Sequence, residues 1–269
     1  MFSKLVPVPS GAVIPERDID KRPILNCINL GITFGGLKAV DDFNLMIGRT
    51  EIAGLIGPNG AGKTTVFNLL TKVYQPTHGT ILLDGKDTHE MNTAQVNRAG
   101  IARTFQNIRL FNNLTVEENV TVAMDTQMHY SMVSGIFRLP GFWKEEKIAH
   151  DRALELLSLF HMENLAGVKA GSLPYGAQRR LEIVRALATN PSLLLLDEAT
   201  SALDPETELR IDRNLRRRGC SCVIIAHRLS TIRDADRIVV LERGEVVETG
   251  THEELLAKGG FYARLLANI

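Results

Sequence analysis

One glycine-rich segment limits what this chain can fold into more than any other feature. Residues 57–64 read GPNGAGKT and fit the pattern GxxxxGK[ST]. The apolar run EIAGLI precedes them, and the helix-like run TTVFNLLTKV overlaps their end and continues the chain. A strand, a glycine loop and a helix in this order direct backbone N–H groups and a helix N-terminus toward phosphate oxygens. The sequence therefore predicts a phosphate-binding loop, and a glycine turn formed by chance does not explain both flanks.

The side chains of this loop have separate expected roles. The glycines allow the backbone to approach the phosphates closely, Lys63 reaches the β- and γ-phosphates, and the Thr64 hydroxyl binds Mg²⁺. The residues expected to bind the nucleotide are Gly57, Asn59, Gly60, Gly62, Lys63, Thr64 and Thr65.

Two acidic residues end a second apolar run, SLLLLDE, at Asp197 and Glu198. If this run is a strand of a parallel sheet, both carboxylates lie at the edge where ligands bind. Asp197 would hold Mg²⁺ through its hydration shell, and Glu198 could polarise a water in line with the γ-phosphate. Without the phosphate loop, the pair could equally be incidental acids on a strand that exits into solvent. The two motifs together still admit many enzymes, kinases and GTPases among them.

Strand-like and helix-like segments alternate along most of the chain, which predicts an α/β fold with a mainly parallel sheet. Residues 1–22 hold three prolines and a charged stretch, and we expect a flexible N-terminal arm. Residues 23–106 and 179–269 are predicted to form the nucleotide-binding core together with a β-rich N-terminal section. Residues 107–178 contain helix-like segments without a clear buried strand, which predicts a helical subdomain.

The composition excludes some classes of function. The chain carries 31 Lys and Arg against 31 Asp and Glu, so it lacks the basic excess typical of a nucleic-acid-binding protein. Its three cysteines, Cys27, Cys220 and Cys222, cannot all pair, which favours a reducing compartment and predicts a cytoplasmic location. No apolar run approaches the roughly 20 residues that span a bilayer, so a membrane connection is expected to come through a partner.

Further motifs resemble those of the ATP-binding cassette ATPases. Gln106 in ARTFQN resembles the glutamine loop of the family, and His227 resembles its switch histidine. Phe34 stands at the position of the family's adenine-stacking aromatic residue. The family's signature loop would comprise Leu173, Pro174, Tyr175, Gly176 and Ala177, and its D-loop Ser201, Ala202, Leu203 and Asp204.

The resemblance implies a P-loop NTPase fold with a RecA-like core and a helical subdomain that carries the signature loop. It also implies ATP hydrolysis, with Glu198, His227 and Gln106 as catalytic residues and Thr64, Gln106 and Asp197 around Mg²⁺. The implied partners are a second cassette, stacked head to tail, and transmembrane permease subunits. Each assignment has a plainer alternative: Phe34 could be a core residue, Gln106 a surface amide, and His227 a histidine at a strand end.

The two parts of the chain resemble different members of that family. Residues 24–196 are similar to the ATPase subunit of a branched-chain amino acid importer, whereas residues 197–269 are similar to the ATPase domain of an exporter. Three hypotheses follow: an importer cassette, an engineered importer/exporter chimera without a transport role, and a cassette that acts outside membranes. Pro174 has neither a hydroxyl nor an N–H, and Ala177 has no side-chain amide, so the signature loop can make fewer hydrogen bonds to the nucleotide of a second cassette. We therefore expect slow hydrolysis by the isolated chain. The transported substrate is not encoded in any motif of this chain.

Overall fold

Ten strands form two sheets in the part of the chain that the computed structural model describes, which is residues 23–124, 140–197, 213–215, 218–225 and 232–267. The strands are β1 (Leu25–Phe34), β2 (Leu37–Ile47), β3 (Ile52–Ile56), β4 (His78–Leu83), β5 (Lys86–Asp87), β6 (Ile101–Arg103), β7 (Leu193–Asp197), β8 (Ser221–Ile225), β9 (Arg237–Glu242) and β10 (Glu245–Gly250).

Seven α-helices in the same described residues cover these sheets. They are α1 (Lys63–Leu70), α2 (Thr93–Ala99), α3 (Val116–Ala123), α4 (Pro140–Ser158), α5 (Tyr175–Ala188), α6 (His252–Lys258) and α7 (Phe261–Ala267). Three of them begin with a capping box, in which two side chains satisfy the first backbone N–H groups of the helix. The pairs are Asn92 with Gln95, Thr115 with Glu118, and Thr251 with Glu254.

The larger sheet has the strand order β10-β9-β3-β8-β7-β6. Its described pairs are parallel, except that β10 runs antiparallel to β9. The smaller sheet has the order β2-β1-β4-β5 and is antiparallel. The prediction of an α/β fold with a mainly parallel sheet and a β-rich N-terminal section is therefore confirmed.

The central strands have a buried core on each face, because successive side chains of a strand point to opposite sides. In β7, Leu194 and Leu196 belong to a core that also contains side chains of α3, α4 and α5. Leu193 and Leu195 belong to a second core, which contains side chains of β1, β2 and α1. The larger sheet thus separates the helices of residues 116–188 from the antiparallel sheet and α1.

The segment between residues 107 and 178 contains α3 and α4, as its periodicity predicts, and the start of α5. The domain boundaries stay a prediction, and α5 runs through the one placed at residue 178. The three cysteines form no disulfide bond with one another, and all three are buried. Among the described helices, none is both long and apolar enough to cross a membrane.

Candidate functional site

The glycine-rich loop connects β3 to α1, as the motif predicts. A Cβ atom on Gly57 would lie 2.1 Å from the carbonyl oxygen of Leu241, so no other residue fits there without moving backbone. Gly62 precedes α1 with a φ of 102°, and a Cβ on it would lie 2.7 Å from the carbonyl oxygen of Ala39. Glycine is the residue that tolerates both the left-handed backbone and the close approach. The loop therefore packs closely against β9 and β2.

A cavity of about 560 Å³ opens beside this loop. Its volume lies within the range of roughly 300–1,000 Å³ that small-molecule sites occupy. The lining residues are 37–39 at the start of β2, 59–65 of the loop and α1, Gln106, and Arg243 in the turn between β9 and β10. The structure thus brings the predicted phosphate-binding residues Asn59, Gly60, Gly62, Lys63, Thr64 and Thr65 together with Gln106.

Lys63 lies at the N-terminus of α1, and its ammonium group binds the loop itself. The Nζ atom donates hydrogen bonds to the carbonyl oxygens of Gly57 at 2.7 Å and Pro58 at 3.0 Å. The helix N-terminus adds partial positive charge on the same side. This end of the cavity therefore suits an anion such as a polyphosphate.

Asp197 ends β7 at the carboxyl edge of the sheet and is buried. Its Oδ2 atom forms an ion pair with Nη2 of Arg103 at 2.6 Å, and Arg103 is also buried. Nη1 of Arg103 donates to the side-chain oxygen of Asn68 in α1 at 2.7 Å. The arginine therefore connects the end of β7 to the helix of the phosphate loop. Asp197 is not among the described residues that line the cavity.

Phe34 ends β1 at the tip of the hairpin with β2 and leaves 44% of its surface exposed. Its ring contacts the ring of Tyr74 edge to face, with 5.2 Å between the centroids. Such exposure is unusual for a core aromatic residue, so the core alternative for Phe34 gains no support from its packing. Neither Phe34 nor Tyr74 is among the described residues that line the cavity, although Leu37, the strand partner of Phe34, is.

The predicted signature loop, residues 173–177, leads into α5. Leu173 and Ala177 are buried, Pro174 is the N-cap of the helix, and 55% of Tyr175 is exposed. The hydroxyl oxygen of Tyr175 accepts hydrogen bonds from Nε and Nη2 of Arg179, at 3.2 Å and 3.0 Å. Arg179 also donates to the main-chain oxygen of Gln106. One buried guanidinium thus contacts both the signature loop and the predicted glutamine loop.

Glu182 lies one turn after Arg179 on α5, and both side chains are buried. Burial raises the pKa of the Glu182 carboxyl, although the Arg179 guanidinium acts in the opposite direction. The loss of hydration therefore outweighs the neighbouring charge at this position.

Several predicted site residues lie outside the residues that the structure describes. They are Glu198, His227, Ser201, Ala202, Leu203 and Asp204. Two other residues at the site were missed by the sequence reasoning, namely Arg103 and Arg243. Arg103 lies three residues before Gln106, but nothing in the local sequence indicates its partner 94 positions away. Arg243 precedes a glycine in a hairpin turn, and its sequence context indicates only a turn.

Comparison with known proteins finds relatives along most of the chain. Residues 40–201 match the family described as ABC transporter. The chain is 38% identical over 244 residues to the high-affinity branched-chain amino acid transport ATP-binding protein BraF of Pseudomonas aeruginosa, covering 87% of this chain and 94% of BraF. It is 39% identical over 239 residues to LivG of Escherichia coli, a protein with the same description, with the same coverage.

Solved structures agree with these relatives. The ADP conformation of MJ1267, an ATP-binding cassette of an ABC transporter, superposes with a TM-score of 0.77 and 28% identity, covering 92% of this chain and 99% of that one. A dimeric structure of MJ0796, bound to ADP and Pi, superposes with a TM-score of 0.71 and 28% identity, covering 84% and 98%.

The hypothesis of a chimera gains no support from the relatives. The importer-like residues 24–196 make up less than two thirds of the chain, whereas the match to BraF covers 87% of it and so continues past residue 197. The ATP-dependent lipid A-core flippase of Burkholderia thailandensis is 37% identical, also over 87% of this chain and over 38% of its own length. Both kinds of relative therefore match on each side of the suspected join.

Proposed function

The chain belongs to the ABC transporter family, whose cassettes hydrolyse ATP, and we propose that it is the motor subunit of an importer for branched-chain amino acids. The observation that carries this proposal is a cavity that the phosphate-loop residues and Gln106 line together. The identity to BraF and LivG over nearly their whole length supports the importer assignment over other transporter classes.

The loop and α1 bind the phosphates of ATP in this proposal. Backbone N–H groups of residues 60–65 surround the β-phosphate, and Lys63 exchanges the carbonyl oxygens of Gly57 and Pro58 for phosphate oxygens. Phe34 stacks on the adenine, which gives affinity without reading the edge of the base. The site therefore accepts purine nucleotides with little discrimination between bases.

Mg²⁺ is expected to accompany the nucleotide, and the donor atoms of this chain fit it. Thr64, Gln106 and Asp197 offer hydroxyl, amide and carboxylate oxygens, which are the donors that Mg²⁺ prefers, and two of these residues line the cavity. The ion pair with Arg103 uses the Oδ2 atom of Asp197. When bound, Mg²⁺ supplies charge neutralisation on the β- and γ-phosphates.

Hydrolysis requires a base and a group that orients water. Glu198, the residue after Asp197, is proposed as the general base, and His227 as the residue that orients the water and contacts the γ-phosphate. Gln106 is proposed to sense the nucleotide from the start of the glutamine loop. These roles follow from the family motifs at these positions.

The proposed partners are a second cassette and transmembrane permease subunits of the importer type. In a head-to-tail dimer, the signature loop of one chain would meet the nucleotide of the other. The dimeric structure of the MJ0796 cassette supports assembly as a dimer. Pro174 offers neither a hydroxyl nor an N–H to that contact. The isolated chain is therefore proposed to be a monomer with slow ATPase activity, located in the cytoplasm and attached to the membrane through its permease.

The proposal is tested in two stages. First, the purified chain should bind Mg-ATP, and Lys63→Ala should weaken that binding. Glu198→Gln should still bind Mg-ATP, but its turnover should fall by about 10²–10⁴-fold. Glu253→Gln, a change of an exposed carboxylate on α6, is the matched control and should alter neither quantity. Absence of ATP binding would refute the ATPase assignment, whereas unchanged turnover in Glu198→Gln would refute the assignment of Glu198 as the general base.

The second stage addresses transport. The chain is reconstituted with the permease subunits and binding protein of a branched-chain amino acid importer, and ATP-dependent uptake of leucine is measured in vesicles. Uptake that Glu198→Gln abolishes supports the importer role. A chain that hydrolyses ATP but never supports uptake favours a cassette that acts outside membranes.

A further inference from the structure

Arg243 occupies a defined position on the wall of the nucleotide cavity. It lies in the two-residue turn between β9 and β10, and it lines the cavity together with residues 37–39 and 59–65. Its φ is 51°, a left-handed conformation that a residue other than glycine rarely adopts. The turn therefore holds Arg243 in a conformation that carries a small backbone cost.

The backbone of this turn is fixed to both other walls of the cavity. The N–H of Gly244 donates to the carbonyl oxygen of Ala61 in the phosphate loop at 2.9 Å. The carbonyl oxygen of Gly244 accepts from the N–H of Asp41 in β2 at 3.0 Å. A Cβ on Gly244 would lie 2.8 Å from the carbonyl oxygen of Ala39, so the three segments pack closely. The position of Arg243 relative to the loop is consequently set before any ligand binds.

The charge of Arg243 has no counter-ion in contact with it in the part of the chain that the structure describes. Its side chain is exposed, and among the described residues it forms no ion pair within 4.0 Å and no hydrogen bond. The other two cations that line the cavity have protein partners: Lys38 pairs with Asp41 at 2.6 Å, and Lys63 binds loop carbonyl oxygens. Among the described cations that line the cavity, Arg243 is thus the one with its charge available to a ligand.

The location of the turn indicates which part of the ligand Arg243 meets. In the proposed function, the phosphates lie at the N-terminus of α1, and the base lies toward the β1–β2 hairpin tip that carries Phe34. The hydrogen bonds of Gly244 to Ala61 and Asp41 place the turn between these two ends. An arginine there presents several N–H donors in one plane, which suits a phosphate oxygen and a ribose hydroxyl at once.

We propose that Arg243 binds the nucleotide at its α-phosphate and ribose, as a further substrate-binding residue supplied by the C-terminal part of the chain. This inference rests on the proposed function of the cavity as an ATP site. It extends the binding surface beyond the phosphate loop, the aromatic residue and Gln106.

The test compares nucleotide affinity in Arg243→Ala and Arg243→Lys with the unmodified chain, using Mg-ATP and Mg-ADP in equilibrium titrations. Arg98→Ala, which removes an exposed arginine on α2 away from the cavity, is the matched control. We expect Arg243→Ala to weaken ATP and ADP by the same factor, about 3- to 10-fold at low salt, since both ligands carry the α-phosphate. Arg243→Lys should recover part of the loss, and Arg98→Ala should show none.

Salt dependence separates a charge contact from a structural effect. The ratio of affinities between the unmodified chain and Arg243→Ala should shrink when the salt concentration rises from about 0.05 M to about 0.5 M, because ions screen an exposed contact. Equal affinity of both proteins at low salt overturns the inference, and so does a loss that is confined to ATP or independent of salt. Failure of the unmodified chain to bind ATP would instead refute the proposed function itself.

Discussion

Arg179 and Glu182, one turn apart on α5, form an ion pair with 3.0 Å between Nη1 and Oε2 and bind the same stretch of main chain. Nη1 of Arg179 donates to the carbonyl oxygen of Phe105 at 2.8 Å, and Oε1 of Glu182 accepts from the N–H of Phe105 at 3.5 Å. Through this pair, α5 holds both backbone groups of the residue before Gln106. The start of the predicted glutamine loop and the helix behind the signature loop are therefore joined by side chains with almost no access to solvent.

Removal of one member of this pair should be costly. Arg179→Ala leaves a buried carboxylate without its cation, and we expect the free energy of unfolding to fall by about 3–5 kcal/mol. The measurement is urea denaturation followed by circular dichroism. Arg180→Ala, a change at the next position of the same helix, should cost much less. Similar decreases in the free energy of unfolding of the two variants would show that the Arg179–Glu182 ion pair does not contribute to stability.

The pair also predicts a pH dependence. Because burial raises the pKa of Glu182 in the folded chain, the carboxyl binds its proton more tightly there than in the unfolded chain. Its contribution to stability is therefore fully present below the unfolded pKa of about 4.3 and is lost as the pH rises through the folded pKa. The stability of the unmodified chain relative to Glu182→Gln should fall over this window, by at most about 1.4 kcal/mol per pH unit.

Glu118 provides a control of opposite sign for that experiment. Hydrogen bonds from Thr115 in the capping box lower the pKa of this exposed carboxyl. Its contribution is present above the unfolded pKa and is lost as the pH falls through the folded pKa. The stability of the unmodified chain relative to Glu118→Gln should therefore fall as the pH falls, whereas for Glu182 it falls as the pH rises. A Glu182→Gln profile parallel to that of the unmodified chain would contradict the raised pKa.

The ion pair between Arg103 and Asp197 predicts strong coupling between two residues far apart in sequence. Arg103→Met should destabilise the fold by about 3–5 kcal/mol, because a buried carboxylate then lacks its counter-ion. Adding Asp197→Asn removes that orphaned charge, so the double variant should be more stable than Arg103→Met alone. Chemical denaturation of the four proteins in the mutant cycle measures the coupling. Additive losses would mean that the pair is energetically unimportant.

Phe34 predicts an effect on affinity that is separable from stability. Phe34→Ala removes the proposed stacking surface, and ATP and GTP should each bind more weakly by about 1–3 kcal/mol. Because 44% of Phe34 is exposed, the melting temperature should change little. Tyr74→Ala, which removes the ring at its edge, controls for loss of the aromatic contact. Unchanged nucleotide affinity together with a sharp drop in melting temperature would make Phe34 a structural residue.

Local patterns in the sequence were sufficient for much of the fold and for the phosphate end of the site. The loop of residues 57–64 was predictable because its glycine spacing, its strand and its helix are adjacent in the chain. The interior strand β7 was predictable as an apolar run. The three-residue strand β6 (Ile101–Arg103) was not, because so short a segment shows no periodicity.

The contacts missed by the sequence reasoning all join distant segments. Arg103 meets Asp197 because β6 lies beside β7 in the sheet, and that neighbourhood follows from strand order rather than from either local sequence. Arg243 reaches the cavity because the β9–β10 turn packs on the loop and on β2. A single sequence contains no signal that pairs such segments, whereas the resemblance to a family carries their arrangement as a whole.

The alternation of β7 between two cores sets limits on which length changes this protein can accept. Inserting or deleting one residue before Leu193 would exchange the sides of four leucines and turn Asp197 away from Arg103. Inserting or deleting two residues would leave each leucine of β7 on the same face of the sheet. The two cores and the ion pair at its end therefore fix the register of β7 in the sheet.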